Sequence, residues 1–422
     1  MRILLLWKAF LAVVLASTIC SAKNGSNVAD STINTTNSAI AIANLDQQIH
    51  QAGNEIGVEE LLLLRSRFLG DYEALDRAGA LGEERYATGR ELLLRARTRS
   101  AVHRFADALV DVEAAERTGA KPDEISALRA SILVAIGRAP EEIPQLETNL
   151  LRHPGFSSRS ALAVAYTAVG RLDDADRLYA EALSSLDTTL PFPYAWIYFA
   201  RGLIWSEQGG DQARAERLYT QALMYVPEFV TANIHLAEIE ALRGDSESAV
   251  ELLESVVQSS NEPEARALLG VLHLRAGDSK RGSREIAGAR TSYELLLSRD
   301  PLAFADHGAE FYLGPGADPE RAWVLAQQNL ANRQTPRAAA LAIKAAEASG
   351  HYSDACALLR KYPDSVKSVQ LQIWSPDPKI GPSVRRSGGQ GAFDPRHTNR
   401  ECVFPSTKAG DDSEIDRCAG LD

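Results

Sequence analysis

The sequence predicts an all-α fold, a solenoid of about eight antiparallel helix–turn–helix repeats. Three observations carry this. The stretch from Ser160 to Leu183 reads as two short amphipathic helices around a turn at Gly170-Arg171, with Ala175, Leu178, Tyr179, Ala182 and Leu183 spaced as one apolar stripe. The turn recurs along the chain at nearly constant spacing. Alanine and leucine dominate the composition, which favours helix.

The N-terminus comes first. Arg2 and Lys8 precede an apolar run from Phe10 to Ile19, and Cys20-Ser21-Ala22 supplies small residues for cleavage, so residues 1–22 read as a secretory signal. The run is shorter than the ~20 residues of a membrane span. Ile19 before Cys20 departs from bacterial lipoprotein signals, so lipid anchoring is not expected. The mature chain is expected to be exported, to the periplasm or outside the cell, without a transmembrane span. Residues 23–45, rich in Ser, Thr and Asn, read as a flexible spacer, and residues 46–87 as an irregular N-terminal helical cap with a turn at Gly70-Asp71-Tyr72.

Residues 88–365 carry the repeats. A turn residue is followed five residues later by a small residue in Gly170/Ala175, Gly210/Ala215, Gly244/Ala249, Gly277/Gly282 and Gly350/Ala355, and less regularly in His103/Ala108, Gly137/Glu142 and Ala317/Ala322. Successive turns lie 34, 33, 40, 34, 33, 40 and 33 residues apart. The two long steps coincide with SLDTTLPFP after the Gly170 unit and with the stretch from Arg290 to Pro301. Small residues at Ala175, Ala215, Ala249, Gly282, Ala322 and Ala355 let the two helices of a hairpin cross closely. Residues 366–422, rich in Pro, Gly and Ser, read as an extended tail.

A period near 34 with Leu178-Tyr179 and Leu218-Tyr219, then Ala182-Leu183 and Ala222-Leu223, and Pro227 and Pro263 at helix ends, resembles the tetratricopeptide repeat family. The resemblance implies a right-handed superhelix whose first helices line a concave, peptide-binding side. Ser160, Val164, Thr167, Trp196, Phe199, Ser206, Ile234, Glu238, Val271, Lys344 and Glu347 map to that side. Aromatic residues are favoured interface anchors. Tyr194, Trp196, Phe199, Ile234 and Glu238 are therefore the expected partner-binding residues.

Little else carries chemistry. The formal charge of −11 is spread along interleaved helix faces without a basic stripe, which argues against nucleic-acid binding. No HExxH, GxSxG or phosphate-binding GxxxxGKS/T motif occurs, so no cofactor, metal or catalytic residue is expected. His235 and His273, on first helices of adjacent repeats, are core or groove residues rather than a metal pair. Cys402 and Cys418 in the tail either remain thiols or form a disulfide, which would restrict the unfolded chain by roughly 3 kcal/mol. The leading reading is an exported, non-catalytic protein- or peptide-binding scaffold of the cell envelope. The alternatives are an enzyme or small-ligand binder with a pocket around Asp306–Glu310, and a self-associating structural protein.

Overall fold

A computed structural model describes residues 35–363, and there the chain is helical with no strand. Helix α1 (Ser38–Ala52) crosses the boundary expected between spacer and cap, because Asn37 caps it by accepting the Ala39 N–H. Nine hairpins follow. They are α2/α3 (Val58–Leu69, Tyr72–Glu83), α4/α5 (Gly89–Ala101, Phe105–Arg117), α6/α7 (Pro122–Ala135, Ala139–Arg152), α8/α9 (Phe156–Ala168, Leu172–Ser184) and α10/α11 (Pro191–Leu203, Gln212–Tyr225). The array continues with α12/α13 (Val230–Arg243, Ser246–Ser259), α14/α15 (Pro263–Arg275, Ser279–Arg299), α16/α17 (Pro301–Leu313, Pro319–Asn332) and α18/α19 (Pro336–Ala348, Tyr352–Lys361). The expected signal (1–22), the tail (366–422) and the Cys402/Cys418 pair lie outside the described residues.

All eight expected turn positions adopt positive φ, from Ala317 at 50° to Gly137 at 95°. Gly70, at 62°, adds a ninth, 33 residues before His103. The region expected to be an irregular cap is therefore a full hairpin in the same register. Local chemistry explains why these turns end one helix and start the next. After Gly70, Gly210, Gly244, Gly277 and Ala317 comes an Asp, whose carboxylate accepts the N–H three residues on: Ala74, Arg214, Ser248, Arg281 and Arg321. Each such cap stabilises its helix by about 1 kcal/mol. Proline opens α6, α10, α14, α16 and α18, where its missing N–H costs nothing.

His103 and Ala317 are the only described non-glycine residues at positive φ. A Cβ there meets the backbone unfavourably. Ala317→Gly should therefore raise stability by about 0.5 kcal/mol, the relieved strain less the added freedom of the unfolded chain, read as a higher Tm.

The crossing residues behave as expected. Ala175, Ala215, Ala249, Ala322 and Ala355 are fully buried. A Cβ on Gly282 would sit 2.6 Å from Leu274 Cγ and 2.9 Å from the Gly270 carbonyl, so α14 and α15 touch backbone to backbone. The two 40-residue steps are absorbed mainly by longer helices rather than longer loops. A π-helical segment, Ile204–Gly209, continues α10, and α15 runs to 21 residues. Glu142 is half-buried at its crossing position, in a helix that also holds Pro144 in its interior.

The array is wound tightly enough for its first turn to seat on its second. Ser38 Oγ donates to Glu228 and Tyr72 OH to Glu262, pairs 190 residues apart in both cases. His103 meets Leu302 and Arg333 meets Ala135 at separations of 199 and 198. A near-constant offset between contacting residues is the signature of one superhelical turn. At the seam the C-terminal ends of early first helices meet the N-terminal ends of late ones. Phe68 at the end of α2 packs on Phe192 and Phe229, with ring centroids 5.0 and 4.5 Å away.

Candidate functional site

The expected anchors do not lie on an open surface. Trp196 is 1% exposed and packs edge-on against Tyr179 and Phe156, at 5.7 and 6.1 Å. Phe199 sits among Phe229, Tyr219 and His235, at 4.8, 5.7 and 5.8 Å. Ile234 and Glu238 are likewise buried. Tyr194 is half-buried, stacked 5.0 Å from Tyr225, and its hydroxyl donates to the Thr188 carbonyl. These rings are core because they fill the space between neighbouring hairpins, Trp196 against α8 and α9 and Phe199 against α11 and α12. Of the other residues mapped to the concave side, Ser160, Val164, Thr167, Ser206 and Val271 are also buried, whereas Lys344 is exposed.

Several first-helix positions carry buried polar atoms without a hydrogen-bond partner, as do Tyr179, Gln212 and Asn329 on second helices. Buried polar atoms lacking a hydrogen-bond partner include Arg67 Nε and Nη1, Arg97 Nε, Ser100 Oγ, Ser160 Oγ, His235 Nε2 and Glu238 Oε2. Four of these residues recur at two register positions, while His235 and Ser160 lie further back, nine and ten residues before Gly244 and Gly170. Arg67 and Ser100 stand three residues before their turns at Gly70 and His103, as Thr167 does before Gly170. Arg97 and Glu238 stand six before theirs, as Val164 and Val271 do. His235 Nδ1 lies 2.9 Å from Glu238 Oε2, an ion-pair distance without hydrogen-bond alignment.

Arg67 is the extreme case. It is 6% exposed, its guanidinium meets no carboxylate, and burial alone pulls it down to about 9. By contrast Arg97 pairs with Glu60 at 2.8 Å and with Glu124 at 3.3 Å. Burial holds the Glu60 carboxyl above its usual range despite that pairing. An unpaired buried guanidinium costs several kcal/mol, and an incoming anion would offset that cost. Sequence reasoning missed Arg67 because its helix lay in the expected cap. The available signal was its position three residues before Gly70.

Around Asp306–Glu310 the side chains are committed to one another. Asp306 Oδ2 lies 3.4 Å from Arg333 Nη1, and Arg333 Nε donates to the Ala135 carbonyl at 3.2 Å. Asn332 donates to the His103 carbonyl, and burial together with Arg333 pushes the His103 imidazole down to about 3. His307 Nδ1 is 3.5 Å from Glu264. Burial disfavours the His307 cation, but Asp306 and Glu264 outweigh it and raise the imidazole above its usual value. Arg337 bridges Glu310 at 2.8 Å and Glu207 at 3.9 Å. These pairs run between helices, and those of Arg333 and His103 cross the seam, which makes the constellation a staple. No group of three or more His, Cys, Asp or Glu side chains among the described residues is arranged to hold a metal ion. None of the described helices is long and apolar enough to cross a membrane.

Comparison with known proteins bears on the repeats. Residues 208–272 match the tetratricopeptide repeat family. No match was found among curated proteins. Among solved structures, the chain is similar to the APC/C hetero-tetramer Cut9–Hcn1, at 15% identity over 78% of this chain and 67% of that one, with a TM-score of 0.43. It is similar to a Rap protein complexed with competence and sporulation factor, at 14% identity over 78% and 98%, TM-score 0.43. A thermophilic tetratricopeptide repeat protein of Thermus thermophilus matches at 19% identity over 48% and 98%, TM-score 0.34. The hairpins, their period and the match over 208–272 together describe an all-α solenoid of tetratricopeptide-like helix–turn–helix repeats.

Proposed function

We propose that this protein is a non-catalytic scaffold that binds an extended segment of a partner protein along the inner face of the solenoid, in the cell envelope. The observation that carries the reading is the recurrence of unsatisfied polar atoms at two positions of the first helices, with Arg67 at their head. Buried polar groups are paired in nearly all native structures, so a repeating row of unpaired ones marks places a ligand's groups would fill. A backbone in extended conformation supplies donors and acceptors at regular intervals, and an acidic side chain on it supplies the charge Arg67 lacks. The fold supports an interaction role, since helical-repeat arrays present long surfaces built from many similar units. Export rests on the N-terminal pattern of Arg2, Lys8 and the apolar run to Ile19.

Arg67→Met separates a binding role from a structural one, because the two predict opposite signs. Removing an unpaired buried charge at similar volume should stabilise the free protein by about 1–4 kcal/mol. The same change should abolish partner capture in cells, read by cross-linking and mass spectrometry. Cross-links confined to other copies of this chain would favour self-association instead. A variant that is stabilised yet still captures its partner would remove Arg67 from the site.

A further inference from the structure

Away from the inner face, the seam leaves a cleft of about 310 Å3. One wall comes from the first turn (α3 and the end of α4), the other from Arg299 and Asp300 at the α15–α16 junction. Leu75, Ala80 and Val102 give it an apolar part. At Gly79 an added Cβ would meet nothing within 4 Å, so that side is open space.

The charges around the cleft do not balance. Arg99 pairs with Glu83 at 2.7 Å and with Asp111 at 2.9 Å, and Asp111 also holds Arg95 at 2.7 Å. Arg104 pairs with Glu83 at 2.8 Å and with Asp107 at 2.7 Å, and Arg299 pairs with Asp76. The four guanidinium groups are thus matched by the carboxylates of Asp76, Glu83, Asp107 and Asp111, and the carboxyl of Asp300 is left over. Asp300 closes the first turn of α16 through its backbone carbonyl, which accepts the Ala303 N–H, and its side chain makes no capping bond. Burial and the neighbouring Asp76 hold that carboxyl up at about 6, against the pull of Arg104 and Arg299.

We propose that this cleft binds a small organic cation, an alkylammonium or alkylguanidinium group, with its charge on Asp300 and its aliphatic stem on Leu75, Ala80 and Val102. The volume lies at the low end for ligand pockets, which suits one side chain or a short amine and excludes a nucleotide-sized molecule. The chemistry is that of a free amine and equally of a lysine or arginine side chain on a partner. The site is independent of the inner-face reading and stands or falls separately.

The test is calorimetric titration of the full chain with n-pentylammonium and with the capped tripeptide acetyl-Gly-Lys-Gly-amide, with 1-pentanol as the uncharged control. Saturable binding of either cation but not of pentanol is expected, and the tighter of the two identifies the source. Because the cation selects the ionised carboxyl, affinity should rise about tenfold per pH unit below 6 and level off above it. Asp300→Asn should weaken binding at least tenfold and remove the pH dependence. It should also raise Tm at neutral pH, because the stability attributable to Asp300 is full below its ordinary value of 3.8 and lost as pH rises through about 6. Gly79→Leu, a favourable change in a helix, should fill the cleft and block binding with Asp300 intact. Absence of saturable binding by both cations, or equal affinity in Asp300→Asn, overturns the proposal.

Discussion

Arg333→Ala should destabilise the protein by about 3–5 kcal/mol, a large share of the ~5–15 kcal/mol that holds a typical domain folded. The loss has two parts. Asp306, buried beside it, would lose the guanidinium that faces it, and the Ala135 carbonyl would lose the donor that joins the first turn of the array to the second. The effect should be local before it is global. Hydrogen exchange at the end of α6 and across α16–α18 should accelerate ahead of exchange in α8–α13, because the released elements are those the seam holds. Denaturant titration gives the magnitude. A loss below about 1 kcal/mol, the scale of an exposed ion pair, would mean that the Asp306–Arg333 pair is exposed in solution.

Ala249→Arg should cost at least about 3 kcal/mol, by a different route. Ala249 is fully buried where α12 and α13 cross, so a long side chain forces the helices apart and places an unpaired charge in the core. The same substitution at Val110, exposed on α5, should be within about 0.5 kcal/mol of wild type. A thermal melt of Ala249→Arg indistinguishable from wild type would break the register on which the repeat assignment rests.

Much of the fold was legible because its signals are local. Turn residues at near-constant spacing gave the hairpins, and all eight of them adopt the left-handed conformation that a sharp helix-to-helix turn requires. His103 and Ala317 were recovered from spacing although neither is glycine. In the Gly70 hairpin Leu75 stands where most of the other repeats place a small residue, although its spacing to His103 matches that of the other turns. The surplus after Gly170 is compatible in sequence with either an added helical turn or a longer loop, and much of it continues α10 as a π-helical segment.

The candidate site was less legible, for a physical reason. Whether an inner face is open depends on the pitch of the superhelix, and pitch is set by contacts between residues some 190 apart. No local pattern encodes them. Trp196 and Phe199 share the spacing of groove positions but pack between neighbouring hairpins, and Arg67 is buried with a guanidinium that meets no carboxylate. The same winding produces the staple around Asp306 and the cleft beside Asp300. Access to the inner face, on this account, is governed by how firmly the seam is closed.

The seating of the first turn on the second is the claim on which the rest depends, and a single engineered pair tests it. A Cβ built on Gly70 lies 3.3 Å from Ser260 Cβ, close to the separation a disulfide needs, although the residues are 190 apart in sequence. Gly70→Cys and Ser260→Cys would be combined in a chain whose native cysteines are replaced by serine. Cysteine at the positive φ of Gly70 costs about 1–2 kcal/mol, which closing so long a loop more than offsets. Mild oxidation of the folded protein should then yield an intramolecular bridge, read as faster migration on a non-reducing gel and as the linked peptide by mass spectrometry. Two free thiols after oxidation, in a protein still helical by circular dichroism, would show that the turns do not touch and would contradict the account.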